Sequence, residues 1–270
     1  MNKKRKAVLF LVACLGSTSA SAAFKELTSS FISVASEAAQ SAYQAHSSNG
    51  NSNSKAPKNF EESKNWLKVI TREHHPYGFY TGCEFKFSGR NQMTLTPIHN
   101  SCGYNIRNNR KTAYESHAEH ILPISWVGNA GSAFPCWKEG GRSHCQRVSP
   151  EFNLAEADLV NLQYIIGEVN MDRSHFRFAE LTNGHDYGLN GKIYFDETGR
   201  RFMPPKENWG WIGRIHLYMG DNYPVRYSSS YKRMMDAWAK LPTTEWECKY
   251  NELLIRDFGK GNPHTTKACR

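Results

Sequence analysis

Hydrophobic and polar positions alternate with two different periods along this chain. Phe24, Leu27, Phe31, Val34, Ala38 and Tyr43 form a helical stripe with serine and alanine between them, which predicts a helix within residues 24–45. Residues 47–58 are mainly Ser, Asn, Gly and Lys with Pro57, and such a small apolar content predicts a linker. Asn59 is then placed to cap a helix carrying Phe60, Trp66, Leu67 and Ile70, which must stop near Pro76. Residues 79–87 alternate as a strand does, and two further stretches, 93–96 ended by Pro97 and 104–106, are short extended candidates. A strand is also expected within 114–123. Residues 152–162 have helical spacing, whereas 162–169 form an apolar run. Segments 192–195 and 201–203 flank Asp196-Glu-Thr-Gly199 as the arms of a hairpin, and helices are expected over 212–219 and 231–240. The last of these places Met234, Met235 and Trp238 in a core. There is no internal repeat and no glycine-rich phosphate loop.

Composition separates the two ends of the chain. Lys3, Lys4, Arg5 and Lys6 precede an apolar run over 7–15, and Ala20-Ser-Ala22 offers a small-residue cleavage site, so residues 1–22 read as a signal peptide. Leu11-Val-Ala-Cys14 also resembles a lipoprotein acylation box, the competing reading. The run is shorter than the roughly 20 residues of a membrane span, so no stable span is expected. A secreted or periplasmic protein follows, with an N-terminal helix and linker over 23–58 and a catalytic domain over 59–270. With 39% hydrophobic and 13% aromatic residues, the chain has ample material for a core. Four of the 34 basic residues leave with the leader, so 30 face 25 acidic ones, an excess of +5 in place of the formal +9. That excess fits either solubility or attraction to a polyanion. Cys83, Cys102, Cys136, Cys145, Cys248 and Cys269 remain, an even number in an exported chain, which predicts three disulfides. None of these pairs has the close spacing of a zinc ribbon or finger.

Three polar clusters carry the chemistry. In His117-Ala-Glu-His-Ile-Leu-Pro123 a carboxylate and an imidazole stand side by side ahead of a proline. Cys136-Trp-Lys-Glu-Gly-Gly-Arg-Ser-His-Cys145 sets Arg142 behind a glycine pair, and Gly167-Glu-Val-Asn-Met-Asp-Arg-Ser174 places Asn170 within an apolar run. Base, carboxylate, amide and arginine are the groups that phosphodiester hydrolysis uses. Each alone has a plainer reading: Asn170 as a cap or surface amide, Arg142 as a solvated side chain, Glu119–His120 as surface decoration.

With Glu156-Ala-Asp158, Asn161-Leu162, Phe176-Arg-Phe178, Leu217-Tyr-Met219 and Pro242-Thr-Thr-Glu-Trp-Glu-Cys248 in the same order, these motifs resemble the bacterial endonuclease I family from about Phe60 to the C-terminus. The resemblance implies an α+β protein, a mixed α/β single catalytic domain stapled by disulfides, with a ββα-metal (His-Me finger) active site. It implies one divalent cation and cleavage of DNA and RNA through the phosphate backbone, without sequence preference, leaving 5′-phosphate ends. Carried over residue by residue, Glu119 and Asn170 are the metal ligands, His120 the general base and Arg142 the phosphate-steadying arginine. A carboxylate and an amide oxygen are hard donors that suit Mg²⁺, with Mn²⁺ or Ca²⁺ as alternatives. An imidazole with a pKa near ~6.5 accepts a proton from water at neutral pH. Since strand neighbours point to opposite faces, Glu119 and His120 can share a site only where the strand ends or bends.

Glu156, Asp158 and Glu168 are expected to pair with Arg173 or Arg177, Asn161 to fix a loop, and His74, His75, His144 and His175 to be ordinary histidines. The family pattern often has a glutamate and an aromatic where His117 and Ala118 stand, which bears on metal preference. Thr81 replaces a cysteine of the family's Tyr-Cys-Gly-Cys pattern. The pairs then expected are Cys136 with Cys145 by proximity, Cys83 with Cys102, and Cys248 with Cys269, among the fifteen pairings that six cysteines allow. A monomer is expected. The alternative from another class is a catalytically inactive secreted protein that binds nucleic acid or other polyanions through its basic surface.

Overall fold

Asn59 opens the first helix, as its position predicts: its side-chain oxygen accepts from the Glu62 amide at 3.0 Å. This computed structural model describes residues 56–108 and 110–270, so the leader, the helix expected at 24–45 and nearly all of the linker lie outside the described residues. Helix α1 (Phe60–His74) buries Ser63, Leu67, Ile70 and Thr71 and ends just before Pro76, whose ring cannot continue it.

Strand β1 (Phe85–Ser88) pairs antiparallel with β2 (Thr94–Pro97), Phe85 opposite Pro97. The strand expected over 79–87 is thus half as long, because Gly82, at φ +70, closes a turn in which its amide bonds the Gly78 carbonyl at 2.8 Å. Residues 104–106 join no ladder; the Asn105 amide reaches the Tyr187 carbonyl at 2.7 Å instead.

The central unit is β3 (Ser116–His120), antiparallel to β4 (Leu162–Ile166) with Glu119 opposite Gln163 and His120 opposite Leu162. Helix α2 (Ile124–Gly128), helix α3 (Pro135–Val148) and helix α4 (Pro150–Glu156) lie between the two strands in sequence. The helix expected over 152–162 stops at Glu156; Asp158 then caps a short 3₁₀ turn by accepting from the Val160 amide at 3.1 Å, and Leu162 enters β4. β4 is buried along its whole length and runs without a loop into α5 (Gly167–Arg173), so the apolar run at 162–169 is a strand that turns into a helix.

A third sheet holds β5 (Arg177–Phe178), β6 (Tyr194–Asp196) and β7 (Arg201–Met203). β7 is parallel to β5 and antiparallel to β6. The expected hairpin is therefore present, with the Gly199 amide bonded to Asp196 Oδ1 at 2.8 Å. Four C-terminal helices follow: α6 (Trp209–Asn222), α7 (Ser229–Trp238), α8 (Glu245–Phe258) and α9 (Pro263–Ala268). Met235 and Trp238 are buried as their spacing predicts, whereas Met234 is half-buried. Ile121, Leu122, Leu162, Ile165, Phe178 and Phe202 are among the fully buried side chains. Disulfides join Cys83 to Cys102, Cys136 to Cys145 within α3, and Cys248 to Cys269, the three expected pairs. Among the described residues no helix is long and apolar enough to cross a membrane.

Candidate active site

Alternation along β3 divides the predicted residues between two faces. His117 and Glu119 point toward α5, and Ala118 and His120 point toward α1. A two-residue step along the strand is matched by one helical turn, so His117 meets Asn170, and Glu119 meets Arg173 three positions later.

On the α5 face Glu119 is buried, and Oε1 accepts a hydrogen bond from Arg173 Nη1 and a longer one, 3.4 Å, from the Tyr80 hydroxyl. Arg173 is itself buried. It also donates to the carbonyl of His120 at 2.9 Å and of Ile121 at 2.6 Å, and its guanidinium lies 4.6 Å from the Phe178 ring centre. Burial lifts the Glu119 carboxyl to about 7, and the Arg173 charge opposes that rise without cancelling it. Asn170 is half-buried, with its amide nitrogen 3.4 Å from His117 Nδ1.

The α1 face is organised by Glu156. Its backbone carbonyl lies 2.9 Å from His120 Nε2, and a carbonyl only accepts, so the ring proton sits on Nε2 and Nδ1 keeps its lone pair. Its buried carboxylate accepts from Arg142 Nε at 2.5 Å and from Gln146 Nε2 at 2.9 and 3.0 Å. Phe60 stacks on the His120 ring at 4.9 Å, and the Arg142 guanidinium lies 5.0 Å from the same phenyl centre. Burial, followed by the charges of Arg142 and Arg173, lowers the His120 pKa to about 3, so the imidazole is neutral at physiological pH. Arg142 is held by its Nε edge, and its side chain is 41% exposed.

Glu156 therefore links His120 to Arg142 on one face of β3, whereas on the other face the β3–α5 packing sets Glu119 against Arg173 and Asn170 against His117. β3 finishes at His120, and the Ile121 amide turns to the Asn161 carbonyl at 2.9 Å. Asn161 pins this turn with both side-chain groups, accepting from the Leu122 amide at 2.7 Å and donating to its carbonyl at 2.9 Å.

The oxygens on the α5 face suit a hard divalent cation. Both hydrogen bonds to Glu119 fall on Oε1, which leaves Oε2 available, and Asn170 can present Oδ1. Gln163, opposite Glu119 and on the same face, has a buried Nε2 with no hydrogen-bond partner among the described residues. No group of three His, Cys, Asp or Glu side chains converges among the described residues.

The expected pairing of the other acids with Arg173 or Arg177 is overturned. Arg173 binds Glu119, and Glu156 binds Arg142. Asp158 pairs with Lys260 at 2.8 Å, and Glu168 accepts from the Tyr104 hydroxyl and the amides of Arg107 and Asn108. The structural reason is that α5 presents Arg173 to the buried face of β3, where Glu119 needs a counter-charge. Phe60, read only as a core position of its helix, lies in the site, and no local signal in the chain distinguishes it. His144 bonds Glu139 at 3.1 Å and His75 stacks on Trp246 at 4.7 Å.

Residues 24–269 match the family model of Endonuclease I. A periplasmic deoxyribonuclease of Aeromonas hydrophila is 38% identical over 200 residues, covering 73% of this chain and 81% of the relative. An extracellular deoxyribonuclease of the same organism is 37% identical over 200 residues, 73% of this chain and 84% of the relative. An endonuclease-1 of Buchnera aphidicola subsp. Baizongia pistaciae is 34% identical over 227 residues, 83% and 89% of the two chains.

Proposed function

Because this chain belongs to the endonuclease I family, we propose that it is an exported, monomeric endonuclease that hydrolyses phosphodiester bonds of DNA and RNA without sequence preference. Its relatives' names, periplasmic and extracellular deoxyribonuclease, support the DNA substrate and the extracytoplasmic setting. The β3–β4–α5 unit supports a ββα-metal (His-Me finger) reading, in which two antiparallel strands and the following helix carry base and ligands.

His120 acts as the general base. The Glu156 carbonyl holds the Nε2 proton, so Nδ1 is the atom that takes a proton from water. The low pKa keeps that nitrogen free at neutral pH, at the expense of a weaker base. Arg142, anchored at Nε by Glu156, turns its remaining donors to the phosphate oxygens as negative charge builds there. Glu119 Oε2 and Asn170 Oδ1 would hold one divalent cation, which would supply charge neutralisation at the phosphate. The oxygen of the water that gives its proton to His120 bonds to phosphorus as the 3′ oxygen–phosphorus bond breaks, and the departing oxygen takes a proton from solvent, leaving a 5′-phosphate and a 3′-hydroxyl.

The observation that carries this reading is the double role of Glu156, whose carbonyl orients the base and whose carboxylate orients the arginine. The test is relaxation of supercoiled plasmid by the purified mature protein with a divalent cation. Wild type is expected to nick it and to stop when a chelator is added. His120→Ala is expected to lose 10²–10⁴ in rate, roughly the contribution of a general base, with DNA binding retained. Near-normal turnover by His120→Ala would remove His120 from its role.

A further inference from the structure

His117 has no part in the mechanism above, yet it is the residue best placed to extend the cation site. It lies on the same face of β3 as Glu119, and its Nδ1 approaches the side-chain amide of Asn170 at 3.4 Å. Its other ring nitrogen, Nε2, is 3.4 Å from Oε2 of Glu115. Space for the ring comes from Gly167, where a Cβ would stand 2.8 Å from His117 Nε2 and 2.7 Å from the Thr112 carbonyl. The His117 side chain is 28% exposed, so the position is reachable from solvent.

These contacts favour one tautomer of the neutral ring. A carboxylate accepts, so Glu115 draws the ring proton to Nε2, and Nδ1 presents its lone pair toward Asn170. A ligating histidine characteristically donates its second ring N–H to a carboxylate, which orients the ring and strengthens the donor nitrogen. The Asn170 amide can exchange its oxygen and nitrogen by rotation, which would bring Oδ1 to the same space as Nδ1. Adjacent donors of an octahedral cation held at about 2.1 Å are about 3 Å apart, and the Asn170 amide nitrogen, the atom that this rotation would exchange for Oδ1, stands 3.4 Å from Nδ1.

We propose that His117 is a third protein ligand of the divalent cation, giving an imidazole–carboxylate–amide donor set selective for Mn²⁺ and later first-row ions over Mg²⁺ and Ca²⁺. The inference rests on the reading that Glu119 and Asn170 hold a cation. Two oxygens alone give little reason to prefer one hard ion to another, whereas an imidazole nitrogen favours the borderline metals in the Irving–Williams order.

The test uses the intact mature protein and Mn²⁺ alone, with no nucleic acid. Loss of the free-Mn²⁺ paramagnetic resonance signal gives the affinity, and electron spin-echo modulation reports any directly bound ¹⁴N. The expected result is one site with imidazole modulation in wild type and in His120→Ala. In His117→Gln the modulation should vanish, Mn²⁺ affinity should fall on the order of 10- to 100-fold, and Mg²⁺ affinity should change much less. Circular dichroism of each variant confirms that it is folded, and the wild-type spectrum needs no variant. Mn²⁺ bound without nitrogen coupling in wild type, or coupling that persists in His117→Gln and disappears in His120→Ala, would overturn the assignment of His117 alone. Absence of Mn²⁺ binding, or affinity unchanged in Glu119→Gln, would overturn the underlying cation site as well.

Discussion

Replacing Arg173 by methionine should destabilise the protein by about 4 kcal/mol, because this one side chain satisfies three buried acceptors. Its Nη1 donates to Glu119 Oε1 and the His120 carbonyl, and its Nη2 donates to the Ile121 carbonyl. Breaking a buried ion pair on one side typically costs about 3–5 kcal/mol, and here Glu119, already lifted to about 7 by burial, would have to take up a proton once the Arg173 charge is gone. Each carbonyl left without a donor adds on the order of 1–3 kcal/mol, but these terms overlap and do not sum. Methionine fills much of the volume against Phe178, so little of the loss comes from a cavity. For a domain of this size the change corresponds to a melting temperature lower by roughly 8–16 °C. Lysine at the same position keeps a charge but not the fork, and should lose about half as much. The assay is urea unfolding followed by tryptophan fluorescence, with a chelator present so that bound cation does not contribute. Because Arg173 also anchors the backbone on which His120 ends, plasmid nicking should fall with stability. A loss below about 1 kcal/mol for Arg173→Met would show that Glu119 does not depend on this partner, and the account of the α5 face would fail.

Burial drives the Asp158 carboxyl up, but Lys260 and the hydroxyls of Tyr223 and Tyr218 outweigh it and hold the group below its ordinary value. A depressed folded pKa gives stability that is present above the unfolded value near ~3.9 and lost as pH falls through the folded one. Lys260→Met should therefore lose about 1–2 kcal/mol at pH 7, a figure reduced because Lys260 is 39% exposed, and the gap from wild type should close below about pH 4; a gap independent of pH would contradict the pairing. Glu156→Gln retains the backbone carbonyl at His120 but gives Arg142 a neutral partner, so plasmid relaxation should slow about tenfold, the kinetic equivalent of one weakened charge-assisted hydrogen bond. An unchanged rate would show that Arg142 needs no anchor. The bond between Cys248 and Cys269 closes a loop with a sequence separation of 21, so Cys248→Ser with Cys269→Ser should lower stability by about 3 kcal/mol in urea titration, and no loss would mean that α8 is secured without it.

What the chain determined by itself was local or carried by motif. The Asn59 cap, the hairpin around Asp196–Gly199 and the buried face of Met235 and Trp238 depend on neighbours a few positions away, so composition and period suffice to read them. Glu119, His120, Arg142 and Asn170 could be proposed as site residues because their motifs stand in the family's order, although nothing in their spacing shows what they touch. Only the tertiary structure decided the pairings. Arg173 takes Glu119 from 54 positions away and Glu156 takes Arg142 from 14, whereas the sequence reading expected Glu156, Asp158 and Glu168 to pair with Arg173 or Arg177. Phe60 enters the site for the same reason: α1 lies over the face of β3 where His120 ends. Periodicity tells which face of an element is buried, but it carries no record of which buried charge lies opposite. That choice belongs to long-range packing, where a desolvated carboxylate must find its counter-charge wherever in the chain the fold brings one.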